Sequence, residues 1–343
     1  MKKIKKSVKI ITAVVLVIVL LLASGVIFYL SKLNLIKFSD GKFRWNGSID
    51  TNDSETIDEQ SRMNDAIADL EEKDAIDATG KIYKDKRILN ILLIGTDEYT
   101  EEFNENARGD SCMIMSVGKK DGSLKLASLE RGMGMPILDG KYKGQYDWLT
   151  HTFRYGGADL MMREVRECFK VDVERYIRVN FATFKKGIEA VGGIDIELTA
   201  AEAGYVNEGT GLKKYTAGLN HLDGEAALVY ARCRHIDSDW HRIERQRNVI
   251  QAVVTKTKEL DIAELNGLLN NVLPLVQTNL TRLEITELLL LAPKYRGAEI
   301  KQMTVPVSGS YGGMRGLGGR SLFSVDFETN SRALREFIYG IKN

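Results

Sequence analysis

Ile88-Leu89-Asn90-Ile91-Leu92-Leu93-Ile94-Gly95-Thr96-Asp97 is the stretch that decides how this chain folds. A short apolar run stopping at a glycine reads as a buried strand, and the acid just past its carboxyl end stands where open α/β sheets gather their ligands. Residues 113–117 and Leu124–Leu129 flank a polar turn at 119–122 and read as a hairpin. Beyond it, helical and extended patterns alternate: helix 158–169, strand 176–179, helix 181–191 stopped by Gly192-Gly193, and strand Ile194–Leu198. Such alternation predicts an α/β fold, a central mixed β-sheet flanked by helices on both faces. Segments 223–232 and 239–260 read as two further helices, each with an Asp near its start, and 262–295 as continuing helix. A strand at 303–307, a glycine-rich loop through Gly319 and a helix at 328–339 close the chain.

Toward the N-terminus the character changes. Lys2, Lys3, Lys5, Lys6 and Lys9 precede an apolar run, 10–30, that is softened only by Thr12, Ser24 and Gly25. A bilayer is spanned by about 20 apolar residues. The lysines stay cytoplasmic by the positive-inside rule, which predicts a single-pass anchor with the domain outside the cell membrane. The competing reading is a cleaved signal peptide with Ala23-Ser24-Gly25 as its small-residue site, but a signal's apolar core is usually only about 7–15 residues. Residues 1–9 are therefore expected as a cytoplasmic basic tail, 10–30 as the transmembrane helix and 31–86 as a polar, acidic stalk. Within the stalk, 56–72 has a thin apolar stripe of Ile57, Met63, Ile67 and Leu70. Residues 87–343 then form one extracellular domain, a size that α/β domains routinely reach.

A formal net charge of +1, with no basic block beyond the N-terminal flank, argues against nucleic acid as a partner. Cys112, Cys168 and Cys233 make no disulfide framework and no zinc pattern, and read as free thiols in or near the core.

Charge chemistry concentrates late in the chain. Tyr230-Ala231-Arg232-Cys233-Arg234-His235-Ile236-Asp237-Ser238-Asp239-Trp240-His241-Arg242-Ile243-Glu244-Arg245-Gln246 sets four arginines around two acids. Guanidinium forks match phosphate oxygens two at a time and keep their charge when water is partly excluded, so a pyrophosphate is the expected ligand. Asp97 and Asp110 offer an all-oxygen, hard donor pair, which selects Mg2+ or Mn2+.

Taken in order, Gly95-Thr96-Asp97, Arg108-Gly109-Asp110-Ser111, Ser128-Leu129 before Arg131, Tyr155-Gly156-Gly157, Val191-Gly192-Gly193-Ile194, and Leu222-Asp223-Gly224-Glu225-Ala226 leading into Tyr230-Ala231-Arg232-Cys233-Arg234, Asp239, Arg242 and Arg245-Gln246 resemble the LytR-CpsA-Psr family. So many short motifs in one order are far more specific than any single one. The resemblance implies a cell-envelope transferase that moves a glycopolymer, such as teichoic acid or capsule, from an undecaprenyl pyrophosphate carrier to peptidoglycan as a phosphodiester. On that reading Arg108, Arg131, Asp97 and Asp110 are catalytic, and Asp97 and Asp110 hold the metal. Arg131, Arg232, Arg234, Arg242, Gln246 and Asp239 bind the pyrophosphate, with Asp239 either tying down Arg232 or Arg234 or capping its helix. The isoprenoid tail calls for a dry tunnel, expected along Phe181, Phe184, Ile188, Val249, Ile250 and Val253.

This chain departs from the family where members usually read Pro-Arg-Asp and it has Glu130-Arg131-Gly132, and where a lysine is common and it has Trp148. Without the acid after the arginine, the candidate bases are Glu130, His151 and His241. Strand alternation turns Glu130 away from Arg131's face, and His151 reads as a helix-surface residue. The alternative implied by these departures is a polyprenyl-pyrophosphate-binding or regulatory paralogue with weak or no transfer.

Overall fold

The computed structural model describes residues 32–39, 54–104, 107–260, 262–295 and 298–341. The basic tail and the apolar run 10–30 lie outside them; among the described residues no helix is long and apolar enough to cross a membrane.

A seven-stranded mixed sheet forms the centre. Its strands, in chain order, are β1 (Lys37–Phe38), β2 (Ile88–Thr96), β3 (Gly109–Gly118), β4 (Leu124–Leu129), β7 (Arg175–Asn180), β10 (Gln277–Thr278) and β11 (Ile300–Val305). They lie side by side as β1-β10-β7-β2-β3-β4-β11. β2, β3 and β4 form an antiparallel meander, while β7 and β11 run parallel to β2 and β4.

Period-two alternation sends side chains to opposite faces, and helices cover both. Leu92, Ile94, Cys112, Ile114 and Ala127 pack on one face against Phe153, Met161 and Val165 of α2 (Leu149–Phe169) and Leu334 and Ile338 of α9 (Phe327–Tyr339). Met113, Leu126 and Ile300 face the other way, toward Ile250 and Val254 of α6 (Asp239–Glu259). Ile91 and Ile177 meet Ile285, Leu288 and Leu289 of α8 (Arg282–Tyr295).

A second apolar cluster joins α3 (Phe181–Ala190), α4 (Ala200–Thr210), α5 (Gly224–Arg232) and α6 to the small antiparallel sheet of β8 (Ile194–Leu198) and β9 (Gly218–Leu222). Asp223 caps α5, accepting from the Ala226 amide at 2.9 Å. The three cysteines are buried and free, as expected.

Four expectations change. The segment 262–295 is not one helix: α7 (Ile262–Val272) gives way to a 3-10 turn around Pro274 and the short strand β10 before α8. Proline lacks the amide that a helix interior needs, which ends α7. The glycine-rich loop through Gly319 contains a hairpin, β12 (Tyr311–Arg315) with β13 (Ser321–Val325). A small β5/β6 pair (Gly134–Pro136, Tyr146–Trp148) precedes α2, which starts nine residues before the expected helix and kinks at Gly156 and Gly157.

The fourth change concerns the expected stalk. Its helix, α1 (Ser54–Ile67), lies on the domain with Met63 and Ile67 against Trp148, Leu322 and Phe323. The chain after it bonds along β12, β13 and the end of α2, with Lys73 N–H donating to Gly313, Ile76 N–H to Val325 and Tyr83 N–H to Lys170. Backbone polar groups here find partners on the domain rather than water, and apolar side chains find a core. Ile57, expected on the same stripe, is exposed.

Candidate functional site

The carboxyl ends of β2 and β4 and the start of β3 bring chemistry to one place. β2 and β3 fall out of register at Gly95: Gly95 pairs with Ser111 and Thr96 with Gly109, leaving Asp110 as the extra residue of a bulge. Bulges re-aim side chains beside functional sites. A Cβ on Gly95 would stand 3.1 Å from that of Ser111, so the close crossing favours glycine.

A cavity of about 680 Å³ opens between this sheet end and helices α3, α5 and α6. Arg108, Asp110, Arg131, Arg234, Arg242 and Gln246 line it at the sheet end, and Arg232 lines it beside Phe181 and Tyr99. Its body is apolar, lined by Leu93, Ile177, Val179, Phe181, Phe184, Leu228, Val229, Val249 and Ile250. Of the residues expected along a tunnel, Phe181, Phe184, Val249 and Ile250 line it, whereas Ile188 and Val253 belong to the helical cluster behind.

Arg131, at the end of β4, is the hub. Its Nε donates to Asp239 at 2.9 Å, Nη1 stands 3.5 Å from Asp110, and Nη2 is ion-paired with Glu59. Asp239 therefore holds Arg131, and Arg242 at 3.4 Å, rather than Arg232 or Arg234. It also stands in the first turn of α6, where a carboxylate suits the helix dipole. Burial would raise Asp239, yet Arg242 and Arg131 hold it well below the usual carboxylate range.

Arg232 lies over the rings of Phe181 and Tyr99 and donates to the Tyr99 hydroxyl at 2.8 Å. Arg234 reaches Glu59 at 3.3 Å and Asp58 at 3.2 Å. Gln246 accepts from Ser111 Oγ at 3.0 Å. Arg245, from the same sequence cluster, turns elsewhere: it binds Glu202, Asp237 and the Cys233 carbonyl.

Asp97 accepts from the Arg108 amide at 2.9 Å and from its Nε at 3.0 Å. Burial, then the charge of Asp110, raises Asp97 from near 3.8 to about 6. Asp110 accepts from Thr150 Oγ1 at 3.1 Å and lies 4.0 Å from Arg108 Nε. Burial opposes its charge, but Arg131, Arg108 and Arg242 keep it ionised below the ordinary range. Two acids close enough to repel one another suit a divalent cation, which would relieve that repulsion. Among the described residues no three His, Cys, Asp or Glu converge as a complete cage, so a cation held here would draw its other ligands from water or substrate oxygens.

The three candidate bases fall away from the cavity. Glu130 is buried, accepts from the Gly132 amide and does not line it; burial, then Asp239, raises it to about 8. Glu130 and Arg131 both lie past the end of β4 at Leu129, so strand alternation does not set their directions; Glu130 turns back onto the Gly132 amide instead. His151 is buried rather than on a helix surface, 3.2 Å from Asp147, which also takes Arg320 at 2.9 Å. His241 is exposed beside Ser238. Trp148 is fully buried and donates to the Ser321 carbonyl at 2.7 Å.

Sequence reasoning missed Glu59 and Asp58, which α1 carries into the arginine cluster. The available signal was spacing: Glu59 stands four residues before Met63, on the same helical face as an apolar anchor.

With this geometry in place, the chain belongs to the LytR_cpsA_psr family, whose model matches residues 51–333. It is 33% identical over 226 residues to the polyisoprenyl-teichoic acid–peptidoglycan teichoic acid transferase TagU of Enterococcus faecalis, across 63% of this chain and 69% of that one. A second TagU, from Bacillus mycoides, is 32% identical over 60% of this chain and 64% of its own length. The structure of TagT bound to LIIa-WTA shares the fold, with a TM-score of 0.59 at 22% identity, over 78% of this chain and 97% of TagT.

Proposed function

We propose that this protein transfers a glycopolymer from a polyprenyl pyrophosphate carrier to peptidoglycan, forming a phosphodiester. One observation carries the reading: a single cavity has arginines at one end and an apolar body beyond, the two halves of a lipid pyrophosphate. Relatives named for teichoic acid transfer support the glycopolymer and peptidoglycan as substrates. In this reading residues 10–30 form the single-pass anchor that keeps the domain on the outer membrane face, within reach of both.

The reaction asks for an acceptor hydroxyl to attack the sugar-linked phosphorus. A new P–O bond forms, the bond to the bridging oxygen breaks, polyprenyl phosphate leaves with the electron pair, and the hydroxyl's proton passes to the leaving phosphate or to water. Arg232 and Arg234 grip the phosphates, while Arg131 and Arg108 stabilise charge as it builds on the equatorial oxygens. Asp239 and Asp110 hold the Arg131 fork in plane, so its donors are oriented before substrate arrives. Val179, Phe184, Val249 and Ile250 take the isoprenoid tail and exclude water. Asp97 and Asp110 would hold Mg2+, which supplies further charge neutralisation at the phosphate oxygens when bound.

A second reading, a lipid-pyrophosphate-binding paralogue with little transfer, is favoured by Arg131 being ion-paired on all three nitrogens. Incubating the full chain with a lipid-linked teichoic acid precursor, Mg2+ and peptidoglycan decides between them. Covalent attachment that is lost in Arg232→Ala/Arg234→Ala is expected of the transferase. Retained lipid binding without any attachment would leave the paralogue, and attachment undiminished in the double variant would refute the arginine grip.

A further inference from the structure

Helix α1 delivers a carboxylate into the most cationic part of the molecule. Glu59 is 5% exposed and lines the cavity, bridging Arg131 and Arg234. Around the phosphate end the domain itself supplies five arginines (Arg108, Arg131, Arg232, Arg234 and Arg242) against three carboxylates (Asp97, Asp110 and Asp239). Glu59 offsets part of this excess; its neighbour Asp58, 3.2 Å from Arg234, is shared with Arg62 of the same helix. A phosphate group brings a similar charge and the same planar match to a guanidinium fork.

Resting on the lipid-pyrophosphate reading, we propose that Glu59 sits in a phosphate seat between Arg131 and Arg234, and that α1 must swing aside for the carrier to bind. The seat cannot hold both anions, because Glu59 takes Nη2 of Arg131 and Nη1 of Arg234, the groups that a phosphate would use. α1 is held by the buried contact of Met63 and Ile67 together with polar latches: Arg62 donates to the Arg234 carbonyl at 3.2 Å and contacts His235 Nδ1 at 2.6 Å, and Ser321 donates to Asn64. Local opening of one element breaks such contacts without unfolding the rest of the domain.

If the docked helix leaves only a fraction of molecules competent, the apparent affinity for a phosphate ligand falls by that fraction. The test uses the full chain in detergent micelles with inorganic pyrophosphate as the probe, read by calorimetry and by hydrogen exchange of residues 54–67. Glu59→Gln should bind pyrophosphate about tenfold more tightly than the parent, the gain expected when a competing state populated at about 90% is removed. In the parent, pyrophosphate should speed exchange of α1, and Arg234→Ala should lose binding.

Should Arg234→Ala lose binding while Glu59→Gln binds no better than the parent, the phosphate site stands and the gate falls. Unchanged or slower exchange of α1 at saturating pyrophosphate overturns the gate as well, independently of any variant's stability. Binding unaffected by Arg234→Ala, or absent from parent and Glu59→Gln alike, refutes the phosphate site and the gate with it.

Discussion

Asp97 and Glu130 are acids whose buried surroundings, each with a second acid nearby, favour the protonated form. Asp97 titrates near 3.8 when unfolded and at about 6 when folded, because burial and Asp110 disfavour its charge. Between those values the folded state keeps a proton that the unfolded state has released, so stability falls as pH rises, by up to about 1.4 kcal/mol per unit. Asp97→Asn should flatten that slope in thermal melts. A cation competes with the same proton, so Mg2+ should raise the melting temperature more at about pH 7 than at about pH 5. Equal stabilisation at both values, or stabilisation that survives Asp97→Asn, would remove Asp97 from the proposed metal site. Glu130, lifted to about 8 from 4.5, is neutral in the folded protein near pH 7. Glu130→Gln should therefore gain stability relative to the parent as pH rises from about 4.5, levelling off above about 8. A difference independent of pH would mean that the buried carboxyl is already charged.

At the scale of elements, α1 and the Glu130-Arg131-Gly132 corner are one unit. A Cβ at Gly132 would lie 2.7 Å from Met63 Sδ and 3.1 Å from Glu130 Oε2, so the missing side chain leaves room that α1 fills. Gly132→Ala should cost about 1–3 kcal/mol through overpacking, and Met63→Ala about 2–4 kcal/mol through the cavity it leaves. In denaturant melts the double variant should cost less than the sum, because the new methyl occupies space that the methionine vacated. Strict additivity would show that α1 does not rest on this corner in solution. An acid at position 132 is not a local change either: it would push Met63 aside and place a charge beside the buried Glu130.

For the whole molecule, the cavity's two ends separate by chemistry. Ile250→Trp narrows the apolar body and should weaken a polyprenyl phosphate about tenfold or more while leaving inorganic pyrophosphate unaffected, since only the tail loses its room. Equal loss of both ligands, measured by calorimetry, would place the tail elsewhere. What the sequence by itself determined was local or ordered along the chain. The β3/β4 hairpin, the alternation that yields a mixed sheet, the strand end carrying Gly95-Thr96-Asp97 and the capped α5 follow from side-chain periodicity and turn chemistry within a dozen residues. The order of arginines and acids was equally legible, because motif order is covalent. Tertiary structure alone decided which arginine meets which acid. Arg131 finds Asp239 108 positions away, and Glu59 reaches the same guanidinium from a helix whose own pattern reads as a stalk. The strand β10 inside an apolar helical stretch, and the burial of His151 and Trp148, were settled the same way. Ion pairs and long-range strand pairings depend on what the rest of the fold places opposite a residue, and periodicity carries no record of a partner that distant.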